Sequence, residues 1–140
     1  MSITDFILDA SITLSWCFED EASPYADALL DRLSHVTAFV PKIWELEVSN
    51  VLLMAEKRKR ITFLGIQTFL ELLTGLNIQM MTEPDFQTFS TPLHLARQEG
   101  LTSYDASYLD LAIRKKLPLA TKDMALQKAA IRHGVFYSTE

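Results

Sequence analysis

Phe6-Ile7-Leu8-Asp9-Ala10-Ser11 is the stretch on which the fold turns. Three consecutive apolar residues closed by an acid read as a short buried strand ending at Asp9. Residues 11–18 follow as a short helix, and Glu19-Asp20-Glu21 as a loop. The same apolar theme returns at 37–40, 77–81 and 117–121, and 135–137 is a candidate fifth, edge strand. Helical signals fill the intervals. Ser23 and Pro24 form an N-cap and first position, and Tyr25, Ala28, Leu29 and Leu33 then recur at helical spacing. Longer helices are expected over 42–59 and 62–76. Thr82-Glu83-Pro84 opens another to about residue 99, where Gly100 stops it. Thr102 caps a helix over 102–116, with Asp105 at the acidic position of a capping box, and Asp123 opens the helix that Gly134 ends. Strands alternating with helices define an α/β domain, a mostly parallel sheet of four to five strands with helices on both faces.

The 140 residues suit one domain, 1–140, large enough to bury a core without disulfides. Four Gly and five Pro are scattered, so no linker or low-complexity segment divides the chain. No charge-free run approaches the roughly 18 residues of a membrane helix, and no basic flank marks a signal peptide. The single cysteine, Cys17, fits a reducing cytoplasm and is expected in the core. A formal charge of −5 argues against bulk electrostatic binding of nucleic acid.

In a parallel sheet, ligands bind beyond the carboxyl ends of the strands. Asp9 ends the first strand, and Asp123 lies just past the fourth. Glu47 is early in the helix that leaves the second strand, and Asp105 opens the helix that precedes the fourth. Four acids far apart in sequence are therefore expected on one rim. At about 100° per residue, Asp105 falls on the apolar face formed by Ala106, Tyr108, Leu109, Ala112 and Ile113, whereas Asp110 points away from it. A carboxylate on an apolar face needs a partner, so Asp105 is either a simple cap or part of a site. The helix over 42–59 leaves its two acids undecided. Glu45 and Glu47 flank the core stripe of Trp44, Val48, Val51, Leu52 and Ala55 on opposite sides, Glu47 sharing its flank with Asn50.

Several carboxylates within reach of one another repel, and a hard cation such as Mg²⁺ or Mn²⁺ relieves this through oxygen ligands. Such a site generates a hydroxide nucleophile and stabilises phosphodiester cleavage. Competing chemistries lack their residues. His35, His94 and His133 have no zinc spacing, and no placed histidine serves Ser11 or Cys17 as a base. Position 11 is Ser where a haloacid-dehalogenase-type phosphatase needs Asp. The acidic pair of a receiver domain is also missing. No Gly precedes Gly65, which excludes a dinucleotide fingerprint or P-loop on the first strand.

Four blocks in order, Ile7-Leu8-Asp9-Ala10-Ser11, Val40-Pro41 through Glu47-Val48-Ser49-Asn50-Val51-Leu52, Leu101-Thr102-Ser103-Tyr104-Asp105-Ala106-Ser107-Tyr108, and Pro118-Leu119-Ala120-Thr121-Lys122-Asp123, resemble the PIN-domain family, and within it the VapC-like toxins of prokaryotic toxin–antitoxin pairs. The resemblance covers essentially the whole chain. It implies that Asp9, Glu47, Asp105 and Asp123 are catalytic metal ligands, choosing Glu47 over Glu45, and that Ser11, Thr121 and Asn50 support them. It further implies a Mg²⁺- or Mn²⁺-dependent endoribonuclease that leaves 5′-phosphate and 3′-hydroxyl ends, forms a homodimer and is neutralised by a cognate antitoxin. The competing expectation is a catalytically silent PIN-like module that sequesters RNA or a protein partner.

For RNA contact, the basic runs 57–60 and 114–116 are better read as solvated helix ends favoured by the dipole. Lys122, at the rim between Thr121 and Asp123, is the better candidate for a phosphate contact. Leu46 and Leu53 lie opposite the core stripe of their helix and suggest a partner surface. Setting the four site acids aside leaves the rest of the chain at −1, so the charge is concentrated at the proposed site and does not oppose an RNA substrate once a cation is bound.

Overall fold

The structure, a computed structural model, describes residues 3–81 and 90–140. β1 (Phe6–Leu8), β2 (Ala38–Val40), β3 (Ile78–Met80) and β4 (Leu119–Ala120) form one parallel sheet in the order β3-β2-β1-β4. The helices are α1 (Ala10–Ser15), α2 (Pro24–Arg32), α3 (Ile43–Lys57), α4 (Phe63–Thr74), α5 (Ser90–Glu99), α6 (Ser103–Lys115) and α7 (Met124–Arg132).

β1 is fully buried, and its period of two divides the core. Phe6 and Leu8 pack with Ile12, Ala26 and Leu29 of α1 and α2, while Ile7 packs on the opposite face with Tyr108, Leu109, Leu126 and Ala129 of α6 and α7. A third cluster joins α1 to α3 and α4 through Leu14, Val48, Leu52, Ile66 and Phe69. Each fully buried large side chain of β1 stabilises the fold by about 1.5–3 kcal/mol relative to exposure. Strands of two or three residues suffice because helices cover both sheet faces.

The chain runs outward from β1 to β2 and β3, then returns to the other side of β1 as β4. The strand order thus reverses beside β1, and a crevice opens beyond the carboxyl ends of β1 and β4. That edge carries Asp9 and Thr121.

Local caps follow the sequence. Ser23 Oγ accepts from the Ala26 N–H at 3.0 Å, Thr62 Oγ1 from Gly65 at 3.0 Å, Thr102 Oγ1 from Asp105 at 3.0 Å, and Asp123 Oδ1 from Leu126 at 2.9 Å. Gly100 and Gly134 both take the left-handed conformation, at φ 69°, that ends a helix at low cost.

Several expectations are corrected. Glu19–Glu21 is a 3₁₀ turn rather than an irregular loop. The candidate fifth strand reduces to one parallel bridge, Leu119 to Phe136, because only Leu119 exchanges backbone hydrogen bonds with Val135 and Tyr137. The opening of the helix expected from Thr82 lies outside the described residues; from Ser90 to Glu99 it is helical. Asp110 does not point into solvent. It is 3% exposed and accepts from Arg114 Nε at 2.9 Å, because α5 as well as the sheet and α7 packs on α6, so burial is not confined to one apolar stripe. Ile113, expected in that stripe, is exposed. Cys17 is only partly buried, at the edge of the third cluster.

Candidate active site

Asp9 stands at the N-cap position of α1, yet its carboxylate makes no cap hydrogen bond. It turns toward the neighbouring strand end instead. Ser11 Oγ and Thr121 Oγ1 each donate to Asp9 Oδ2 at 2.7 Å. Each hydroxyl also accepts a backbone N–H from the loop after β4, Ser11 from Lys122 at 2.9 Å and Thr121 from Asp123 at 3.0 Å. Two hydroxyls therefore clamp one oxygen of Asp9 and tie that loop to α1, and the Ala10 backbone N–H is a further donor to the carboxylate. Asp9 is 4% exposed, and burial pushes its carboxyl above the ordinary range, opposed by the hydroxyl donors and reinforced by Asp123.

The other three acids face Asp9 across the rim. Glu47, on the second turn of α3, accepts from the phenol of Tyr108 at 2.5 Å. Burial raises its carboxyl, and Asp9 raises it further. Glu45, the alternative on this helix, is exposed. On α6, the Asp105 backbone N–H donates to Thr102 Oγ1 in the cap, so capping engages its main chain and leaves most of the carboxylate to the rim. Burial, then Asp123, Asp9 and Glu47 in turn, push Asp105 up to about 6. Asp123 is exposed and gives Oδ1 to the start of α7.

These four carboxylates, from four separate segments, lie within Coulombic reach of one another. Among the described residues, however, no three His, Cys, Asp or Glu side chains are drawn together at metal-ligating spacing. The donors are all hard oxygens. The set suits a divalent cation such as Mg²⁺ or Mn²⁺.

The remaining residues singled out in the sequence divide sharply. Ser11 and Thr121 are in the clamp. Asn50 is exposed one turn beyond Glu47 and lines a cleft with it. Lys122, the expected phosphate contact, is engaged within the chain in this structure. Its ammonium donates to Ser15 Oγ and the Glu21 carbonyl, both at 2.6 Å, and braces the loop against α1 and the 3₁₀ turn. In the basic runs, Arg60 pairs with Asp20 at 3.1 Å and Glu21 at 3.3 Å and lies over the Phe18 ring, while Arg114 pairs with Asp110. Leu46 and Leu53 are 67% and 54% exposed. Tyr108 escaped the sequence reading, which assigned it to the core; its ring is core, and its hydroxyl reaches the site. The available signal was its place one turn after Asp105 on the same face.

The sequence model of the PIN domain matches residues 6–132, and the chain belongs to the PIN domain family. PIN domains are in general nucleases and typically bind divalent metal ions. Among solved structures, the chain is similar to the crystal structure of PAE2754 from Pyrobaculum aerophilum, with a TM-score of 0.68 and 21% identity over 90% of this chain and 86% of that one. That likeness is one of fold. No curated protein matches the sequence. Among the described residues, no helix is long and apolar enough to cross a membrane.

Proposed function

We propose that this chain is a metal-dependent endoribonuclease of the VapC-like toxin type, cytoplasmic, homodimeric and neutralised by a cognate antitoxin. The observation that carries the reading is the meeting of Asp9, Glu47, Asp105 and Asp123 at the switch point of the sheet, with three of the four carboxyls raised by burial and by one another. Each of these acids would hold Mg²⁺ or Mn²⁺ directly or through water. When bound, such an ion neutralises the phosphate and activates water for hydrolysis.

The chain's own part is preorganisation. Ser11 and Thr121 fix Asp9, Tyr108 fixes Glu47, the α7 cap fixes Asp123, and Lys122 holds the loop that carries Thr121 and Asp123. The exposed Leu46 and Leu53 on α3 supply an apolar face for a second subunit or an antitoxin segment. The exposed apolar face of α3 would also serve a second reading, a PIN-like binding module without catalysis.

RNA cleavage by the purified chain separates the two. Wild-type protein with Mn²⁺ cuts a mixed RNA pool, and Asp9→Asn loses at least about a hundredfold in rate, the scale on which single electrostatic groups act in active sites. Cleavage by Asp9→Asn at the wild-type rate contradicts the assignment. No cleavage by the wild type at any Mn²⁺ or Mg²⁺ concentration favours the module.

A further inference from the structure

Beside the acids lies a cleft that borders, at Leu46, the apolar face of α3 and to which no part of a substrate has been assigned. Ile43, Leu46, Glu47, Asn50 and Val51 of α3 and Tyr104 at the start of α6 enclose about 420 Å³. Glu47 belongs to both the cleft and the acid rim, and Tyr104 immediately precedes Asp105. Tyr104 is 59% exposed, an unusual state for a large aromatic ring next to a buried face of the same helix. No Lys or Arg lines the cleft among the described residues, and its one charged group is the carboxylate of Glu47.

That lining discriminates among the parts of a nucleotide. A phosphate meets no Lys or Arg side chain along the cleft among the described residues. A ribose offers hydroxyls, but no π-face for Tyr104. A nucleobase has flat faces that suit a phenol ring on one side and aliphatic side chains on the other. Its polar edge suits an amide such as Asn50, which both donates and accepts.

We propose that this cleft is a nucleobase subsite, in which a base adjoining the scissile phosphate stacks on Tyr104 and presents its edge to Asn50. The inference rests on the nuclease reading and deepens it by placing substrate recognition. Tyr104 contributes affinity for any base, because every base has a π-face, and Asn50 contributes preference among bases.

The test uses the Mn²⁺-loaded full chain and short RNAs carrying 2-aminopurine at successive positions around a mapped cleavage site. Fluorescence is recorded in the first milliseconds after mixing, before turnover. Stacking quenches the probe at one position beside the cut. Tyr104→Ala abolishes that quench and raises KM about tenfold or more, with a smaller change in kcat, whereas Tyr104→Phe retains both quench and KM. Asn50→Ala flattens the ranking of RNAs that differ only at that base. Unchanged KM and quench in Tyr104→Ala, in a protein that still cleaves, overturn the subsite and leave the nuclease reading intact. A wild type that cleaves no RNA overturns both. A Tyr104→Ala chain that sediments as a monomer where the wild type is a dimer assigns the cleft to a second copy, which also overturns the subsite.

Discussion

Asp9 and Asp105 stand on the same rim and are held by different means. Asp9 is nearly inaccessible, and one of its oxygens is clamped by two hydroxyls from α1 and the end of β4. Asp105 is half-buried, with only a weak contribution from Thr102 and three other acids facing it. Burial penalises both carboxylates first, but the second-ranked influence differs in sign. For Asp9 it is a hydrogen bond from Thr121 that favours the charge, and for Asp105 it is the charge of Asp123, which opposes it. The fold thus satisfies one half of the rim with hydrogen bonds and leaves the other half under the repulsion of its neighbours. Hydrogen bonds hold the geometry of the Asp9 half, whereas the Asp105 half carries like charges that a bound cation would offset.

Substitutions on the two halves should therefore act in opposite directions on the ion-free protein. The largest effect is expected from Thr121→Val, nearly equal in size to the native side chain. It removes a donor to buried Asp9 and the acceptor of the Asp123 N–H, at a cost of about 1–3 kcal/mol in chemical denaturation. A midpoint within experimental error of wild type would show that the clamp is not what holds Asp9.

Tyr108→Phe comes next. It leaves the buried ring in place and frees Glu47 from its one hydrogen-bonded side-chain partner among those described. Loss of this positioning bond should weaken Mn²⁺ affinity about tenfold, read by calorimetry. An unchanged affinity would mean that Glu47 is oriented by packing alone.

The smallest and most diagnostic change is Asp105→Asn. The folded-state carboxyl, at about 6, lies above the ordinary aspartate value of 3.8, so the folded chain binds more protons than the unfolded chain between those values. Its contribution to stability is therefore most favourable at low pH and declines as pH rises through about 4 to 6. At pH 7 without metal, Asp105→Asn should be more stable than wild type. Because Asp105 is half-exposed, solvent screening limits the gain to about 1 kcal/mol or less, about 3 °C in Tm, and the gain vanishes near pH 4. A destabilised variant at pH 7 would remove the repulsion from the account.

The contrast between the two halves also marks what the sequence made legible. The rim was readable because strand, acid and helix follow one another at Asp9 and Asp123, and a parallel sheet aligns every such junction on one edge. Ser23, Thr62, Thr102 and Asp123 cap within three residues, a range over which local chemistry decides. Asp110 was misread because a helical wheel assumes one covered face, and the covering by α5 is a tertiary fact. The partner of Lys122 was hidden for the same reason, since Ser15 and the Glu21 carbonyl lie about a hundred positions away. At 135–137 a strand pattern is present, but only Leu119 pairs with it. Tyr108 shows a further limit, since one residue can be core by its ring and site by its hydroxyl.

The most direct test of a cation-dependent rim is calorimetric titration of Mn²⁺ into the purified chain at pH 7.5 and pH 5.5, alongside Asp105→Asn. Wild type should bind Mn²⁺ at pH 7.5 and more weakly at pH 5.5, where protons compete for Asp105, and Asp105→Asn should show little or no binding at either pH. Equal binding by wild type and Asp105→Asn, or no uptake by wild type at pH 7.5, would contradict the account.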